Sequence, residues 1–502
     1  MSGSSYRTIL RSSSIIGGAQ VINIAVGLVK MKVVAVLLGP AGVGLIGLYL
    51  SLIQTASSIA ALGLGNVGTR QIAQAHAEGG DVAVGRTRRA LFWGTMGLAL
   101  IGAALFWLAS GWIARVILAD ETRATDVAWL SLGVALTVAA GSQGALLTGL
   151  RRIGDLARIN LGAGVIGSVL GVLALWLWGA QGLVAMVLVA PVVTFLLGHL
   201  YVARLGPPAG PPIRLPEMTG EWRAMVTLGF AFMISGLVTT LGHLAVRILV
   251  QRELGAEALG QFQAAWAIGT TYLGFVLGAM GTDYYPRLTA AIDDPATATR
   301  LVNEQTEVAL LLCAPVLLAM LGLAPWVIHL LYSAEFGPAA EILRWQLIGD
   351  ILKVMSWPLG FIILAAGAGK TFVVTESLGM GVFVLGVLAL LPLMGVAATG
   401  GAFLALYVAY LPLVWWLGGR RIGFRWTGAV KAQALAVIGA AVAVDIAARW
   451  SELLGAALGV GLAAAAGFWA LMRLSAMSGA GGRLGGIARL GERVRGWIIR
   501  PL

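Results

Sequence analysis

Fourteen stretches of about 20 apolar residues follow one another along this chain, each long enough to cross about 30 Å of hydrocarbon as a helix. Inside a bilayer no water is available to bond exposed peptide groups, so such stretches fold as helices that satisfy their own backbone. Of the 502 residues, 59% are hydrophobic and only 11% charged, too little polar surface to clothe a soluble globule. The expectation is an all-α polytopic membrane protein of about 14 transmembrane helices. Two pairs of stretches are separated only by Gly179 to Gln181 and by Pro392 to Met394, which predicts tight antiparallel hairpins.

The two halves of the chain read alike. LLGPAGVG at 37–44 and ELGAEALG at 253–260 share L-G-x-x-x-x-G, so Gly39 and Gly44 answer Gly255 and Gly260 at an offset of 216. Arg70 and Arg287, Trp112 and Trp326, and Gly149 and Gly367 follow in the same order at offsets of 217, 214 and 218. Such matches imply a duplicated unit of roughly 200 residues, far longer than a solenoid repeat. Six spans per copy is an even number, so the copies share one orientation as two parallel six-helix lobes. The Pro-rich stretch GPPAGPPIRLP (206–216) marks the boundary. The expected organisation is a first lobe over 1–205, a linker over 206–222, a second lobe over 223–418, two additional transmembrane helices over 419–474 and a basic tail over 475–502.

A net charge of +12 would suit a nucleic-acid binder, but in a membrane chain the placement of the charges decides. With the N-terminus inside, all but about 9 of the 34 basic residues fall on the cytoplasmic side. That asymmetry accounts for the charge without a nucleic-acid partner, and it predicts a multi-pass membrane protein with both termini cytoplasmic. The first span carries Lys30 and Lys32 and is followed by no convincing cleavage site, so it reads as a retained helix. In the tail, Ile487, Leu490, Val494 and Ile498 recur at helical spacing among arginines. This fits either an amphipathic helix on anionic lipid or a solvated basic tail.

Polar residues inside spans are costly and usually face a cavity or a partner helix. Span 1 offers Gln20, Asn23, Gly27 and Lys30 along one face, and span 7 offers Ser235, Thr239, His243 and Arg247 at steps of four. Lys30 lies nine residues before Gly39 and Arg247 eight before Gly255, depths of about 12–14 Å from the outer end. Cations at nearly equal depth on corresponding helices predict a cationic cavity between the halves for an anionic ligand, with Lys32 a weaker candidate on another face. The competing reading is interhelical hydrogen bonding for the neutral groups and snorkelling for the cations.

Span 10 carries Gln346, Asp350 and Lys353, spaced either for an internal ion pair or for part of a proton path. Asp350 and Lys353, with Asp283, Glu376 and His243, are the candidates for coupling to an ion, H+ or Na+. No cofactor is expected. The lone Cys313 offers no disulfide, and the four histidines lack ligand spacing, so no metal site is expected. AAGAGKT at 365–371 imitates a phosphate loop, but Leu364 stands where its first Gly belongs, and a membrane helix precedes it.

SIIGGAQVINIAVGLVKMKVVAVLLGPAGVGLIGLY (14–49), GTDYYPRLTA (281–290) and APWVIHLLYSAEF (324–336) resemble the polysaccharide transporters of the multidrug/oligosaccharidyl-lipid/polysaccharide exporter superfamily, in particular O-antigen flippases. The resemblance covers most of residues 9–418. It implies two six-helix lobes set as a V around a central cavity. It also implies transfer of an undecaprenyl-pyrophosphate-linked oligosaccharide to the outer leaflet by alternating access, with polysaccharide polymerase machinery as a partner. Relatives that flip the peptidoglycan precursor use cavity arginines on the helices corresponding to spans 1 and 7, a role that falls here to Lys30 and Arg247. The rival within transport is a multidrug-type cation exporter, whose cavity would favour carboxylates. The rival from another class is a membrane enzyme, a glycosyltransferase or polymerase acting on lipid-linked sugars. The short outer loops lack a catalytic partner for Asp120 and Glu121, so no enzyme is expected.

Overall fold

The structure, a computed structural model, describes residues 3–211 and 215–477; side chains are described over 21–211 and 236–474 apart from Thr282, and at a few positions elsewhere. The side chains of Gln20 and Ser235 and the amphipathic pattern over 487–498 lie outside the described residues. The described regular structure is helical. In chain order the helices are α1 (Gly3–Ala60), α2 (Leu64–Glu78), α3 (Gly80–Leu108), α4 (Ser110–Ile113), α5 (Ala124–Gly149), α6 (Ile153–Trp178), α7 (Leu183–Ala203), α8 (Leu215–Ala291), α9 (Pro295–Gly322), α10 (Ala324–Leu331), α11 (Ala339–Ala365), α12 (Gly369–Met394), α13 (Ala398–Ile422), α14 (Gly428–Trp450) and α15 (Glu452–Met477).

Among the described residues, ten helical stretches are long and apolar enough to cross a membrane, and four of them run to 40, 51, 46 and 54 residues. At 1.5 Å per residue each of these four exceeds two bilayer thicknesses or nearly so, and each is divided by a kink or short turn into two crossings. Ten stretches with four counted twice give, by length and composition, fourteen crossings among the described residues. The protein is an all-α, multi-pass membrane protein.

Two of the dividing points are Gly39 in α1 (φ 63°, ψ −168°) and Gly255 in α8 (φ 85°, ψ 179°). This combination is open essentially to glycine alone, because a Cβ would collide with the backbone. The shared L-G-x-x-x-x-G is therefore a paired kink rather than a pair of plain helix ends. The same offset of 216 recurs at two further pairs of marked backbone positions. Gly179 and Gly395 both take φ 56° and ψ −135° after α6 and α12. Arg151 (φ 57°) and Gly367 (φ 67°) both turn the chain after α5 and α11. The pairing of Gly149 with Gly367 is thus corrected: the turn position in the first copy is Arg151, two residues later. Helices α6 and α12 start and end 216 residues apart, at 153 and 369 and at 178 and 394.

By packing, the chain separates into Met1–Gln263 with Leu330–Phe336, and Ala264–His329 with Gly337–Leu502. The first division falls inside α8, later than the linker that the repeat marks. The linker itself is shorter than 206–222, because α8 begins at Leu215. It is also held: Arg89 donates from Nη1 to the Ala209 and Pro211 carbonyls (3.1 and 2.8 Å) and from Nη2 to those of Pro208 and Gly210 (2.6 and 2.7 Å). Prolines leave these carbonyls without a helical partner, and a guanidinium fork supplies the donors.

In the first unit α1 packs on α5 and α6, and the α1 segment beyond the kink meets the corresponding segment of α8 backbone to backbone. A Cβ on Gly44 would lie 2.5 Å from the Ala256 carbonyl oxygen and 2.7 Å from the Gly260 nitrogen. A Cβ on Gly260 would run into the Pro40 carbonyl. One turn on, Gly47 faces Gln263, again 216 residues later. Equivalent positions touching one another make this a local two-fold contact between the copies.

In the second unit α14 and α15 pack on α9. Asn303 donates to the Arg425 carbonyl (3.1 Å) and accepts from the Thr427 N–H (2.9 Å), and Glu307 pairs with Arg473 at 2.8 Å. Gly322, Gly455 and Gly459 let the helix backbones approach closely, the small-residue packing expected between membrane helices. Gly260→Ala should lower the unfolding temperature of the purified chain, as overpacking of about 1–3 kcal/mol would. Gly439→Ala, where a new Cβ meets nothing within 4 Å, should not.

Candidate functional site

Arg247 lies one helical turn after His243 and two turns before the Gly255 kink. Beyond that kink α8 turns back toward the same level, so that Gln263 reaches Arg247 across 16 residues of sequence. The guanidinium Nε donates to Gln263 Oε1 at 3.2 Å, Nη1 donates to the His243 carbonyl at 3.2 Å, and the group sits 5.8 Å from the Phe262 ring centre. Gln263 can occupy this place because Gly47 opposite has no side chain. Arg247 is 7% exposed, and among the described residues no carboxylate is one of its partners.

It opens into a cavity of about 640 Å³ inside the first unit, walled by α1, α5, α6, α7 and α8. Its polar wall consists of Ser51, Gln54, Thr137, Gln143, Asn160, Thr194 and Gln263, all neutral, so among the described residues Arg247 is its sole charge. The Gln143 Oε1 is buried and receives no hydrogen bond. Two of the five guanidinium N–H donors are engaged within the protein, which leaves part of the fork for a ligand. A cation in low dielectric with amide and hydroxyl neighbours suits a phosphate or carboxylate attached to a hydroxyl-rich group.

The remaining residues singled out from the sequence are scattered. Asn23 donates to the Asn160 carbonyl at 3.3 Å and fills the space left by Gly164, an interhelical bond between α1 and α6. Lys32 donates to the Tyr332 carbonyl. Lys30 and Thr239 are half-buried and do not line the cavity. The reason is register. With the two kinks superposed at an offset of 216, the counterpart of Arg247 is Met31, and Lys30 is one residue, about 100° of helix, away.

In the second unit Asp350 is 2% exposed on α11, and Lys353 lies one turn along. The expected ion pair between them is not formed: the Lys353 ammonium stands over the Phe403 and Tyr407 rings, at 5.7 and 6.0 Å. Ring faces of α13 compete successfully for the cation. Gln346, a turn before Asp350, has both amide atoms buried without partners. Glu376 on α12 accepts a 2.6 Å hydrogen bond from the Tyr410 hydroxyl and shares a second cavity with Lys353. Asp283 is exposed and paired with Arg287 at 3.0 Å, an ordinary i, i+4 surface bridge. Gln54, Gln143 and Gln263 were missed from sequence, although glutamine inside an apolar span is itself a signal.

A family model described as polysaccharide biosynthesis protein matches residues 9–291. The lipid III flippase of Escherichia coli (strain K12) is 25% identical over 402 residues, covering 78% of this chain and 94% of that protein; the lipid III flippase of Shigella flexneri matches to the same extent. Among solved structures, the lipid II flippase MurJ in an inward closed conformation superposes with a TM-score of 0.68 at 9% identity, covering 93% of this chain and 99% of that one. An inward-facing multidrug resistance MATE family transporter of the MOP superfamily gives 0.65 at 15% identity, covering 82% and 99%. At such identities the structural likeness is one of fold.

A buried, uncompensated charge is a burden on folding. Arg247→Met should therefore leave the unfolding temperature of the purified chain unchanged or raise it; a fall of several degrees would mean that the guanidinium serves packing rather than a ligand.

Proposed function

Because the chain belongs to the polysaccharide biosynthesis protein family, we propose that it is a flippase carrying an undecaprenyl-pyrophosphate-linked oligosaccharide, an O-antigen or similar surface-polysaccharide unit, from the cytoplasmic to the periplasmic leaflet. The observation that carries this reading is the buried Arg247, among the described residues the sole charge at the wall of a cavity whose other polar side chains are amides and hydroxyls. Pyrophosphate needs a cation, and a fork that is partly pre-engaged by Gln263 and His243 loses little rotamer freedom on binding. Sugar hydroxyls are matched by groups that both donate and accept. A cation exporter would need an anionic wall, which this cavity lacks among the described residues.

The transport cycle is alternating access, in which no covalent bond is made or broken. The Gly39 and Gly255 kinks give α1 and α8 bending points on either side of the Gly44–Gly260 contact. Asp350, buried inside the second unit, is a carboxylate through which H+ or Na+ would drive the cycle. The setting is a bacterial inner membrane with both termini cytoplasmic, and polymerase machinery would receive the product.

Depleting the protein should cause a lipid-linked oligosaccharide to accumulate on the cytoplasmic leaflet; no accumulation would overturn the reading. In reconstituted vesicles Arg247→Ala should slow translocation about 10–100-fold, the worth of hydrogen bonds to a charged group. Arg247→Lys, which keeps charge but loses the fork, should fall between.

A further inference from the structure

The second unit holds a cavity of about 270 Å³ between α11, α12 and α13. Nine of its thirteen wall residues stand 216 positions after wall residues of the Arg247 cavity, so the two cavities are copies of one ancestral pocket, each inside its own unit. Their chemistry has diverged. Thr137 and Asn160 in the first copy correspond to Lys353 and Glu376 in the second, and Gly141, Leu156, Pro191 and Thr194 correspond to Trp357, Phe372, Tyr407 and Tyr410. Small or neutral groups have become four aromatic rings with one acid and one base.

We propose that this second cavity binds a single sugar ring of the substrate and sets which sugar the protein accepts. The inference rests on the flippase reading and adds a site to it. A pyranose has apolar faces and a polar rim, and aromatic side chains beside a carboxylate and an ammonium match both. The charged groups are kept apart and available: Glu376 is held by Tyr410, and Lys353 by the Phe403 and Tyr407 rings, not by each other. Tyr410 occupies one Glu376 oxygen, leaving the other for a hydroxyl or N-acyl donor. Trp357 and Phe361 pack edge to face at 4.7 Å, which fixes the ring wall in advance. The volume lies just below the usual range for small-molecule sites of about 300–1,000 Å³, room for one ring rather than a chain. A bare anion would meet Glu376, and a lipid tail would bury both charges without partners.

The test uses the full chain in detergent with four probes: undecaprenyl pyrophosphate without sugar, and the same lipid carrying N-acetylglucosamine, N-acetylgalactosamine or galactose. The wild type should bind at least one glycosylated probe about fivefold or more tighter than the bare lipid. Glu376→Gln and Trp357→Ala should remove that difference while leaving affinity for the bare lipid unchanged. Tyr410→Phe, which keeps the ring, should reduce it only in part and serves as the folding-neutral variant. Arg247→Ala should weaken all four probes alike. Equal binding of all probes by the wild type, or an unchanged sugar difference in the Glu376 and Trp357 variants, overturns the sugar site and leaves the flippase reading standing. Loss in those variants that is the same with and without sugar also overturns it, in favour of an ion-coupling role. Failure to bind any probe overturns both.

Discussion

The backbone contact between Gly44 and Gly260 is the constraint on which the Arg247 site depends. Two kinks open only to glycine turn α1 and α8 so that equivalent segments can meet, and two missing side chains let them meet at backbone distance. That closeness brings Gly47 against Gln263, and the vacancy at Gly47 admits the Gln263 amide, which holds Arg247. A side chain at Gly44, Gly47 or Gly260 would push the segments apart and release the guanidinium. The repeat motif that marks the duplication is therefore also what builds the charged wall of the first cavity.

Electrostatics explains why that wall, among the described residues, has one charge. In a low-dielectric interior a second cation nearby would raise the cost of burial, and a carboxylate would satisfy the first and leave nothing for a ligand. Neutral amides and hydroxyls orient around the guanidinium without quenching it. The equivalent pocket of the second copy follows another solution, with an acid and a base each tied to aromatic groups on α13. Duplication supplied two pockets of one design, and substitution at matched positions made them chemically distinct.

The membrane crossings were legible because hydrocarbon leaves the backbone no alternative to helix, so hydropathy alone reports them. The duplication was legible in part because the kinks at Gly39 and Gly255 have a backbone conformation that calls for glycine in both halves. Register was harder. Arg151 takes a positive φ without being glycine, which drew the match to Gly149 instead, and the one-residue difference in depth between Lys30 and Arg247 leaves Met31, not Lys30, at the position matching Arg247. The Asp350–Lys353 spacing permits an ion pair, but only tertiary packing brings Phe403 and Tyr407 to compete for the cation. Gln263 could not be assigned to Arg247 from spacing, since a straight helix would carry residues 16 apart about 24 Å away from each other. The cavity walls draw on five helices, an arrangement that no local pattern encodes.

The most direct measurement of the central claim is an experimental structure of the full chain with undecaprenyl pyrophosphate bound. The account predicts phosphate density in hydrogen-bonding contact with the Arg247 guanidinium, with Gln263 still holding its Nε. Phosphate density elsewhere, with the Arg247 cavity holding only water, would contradict it.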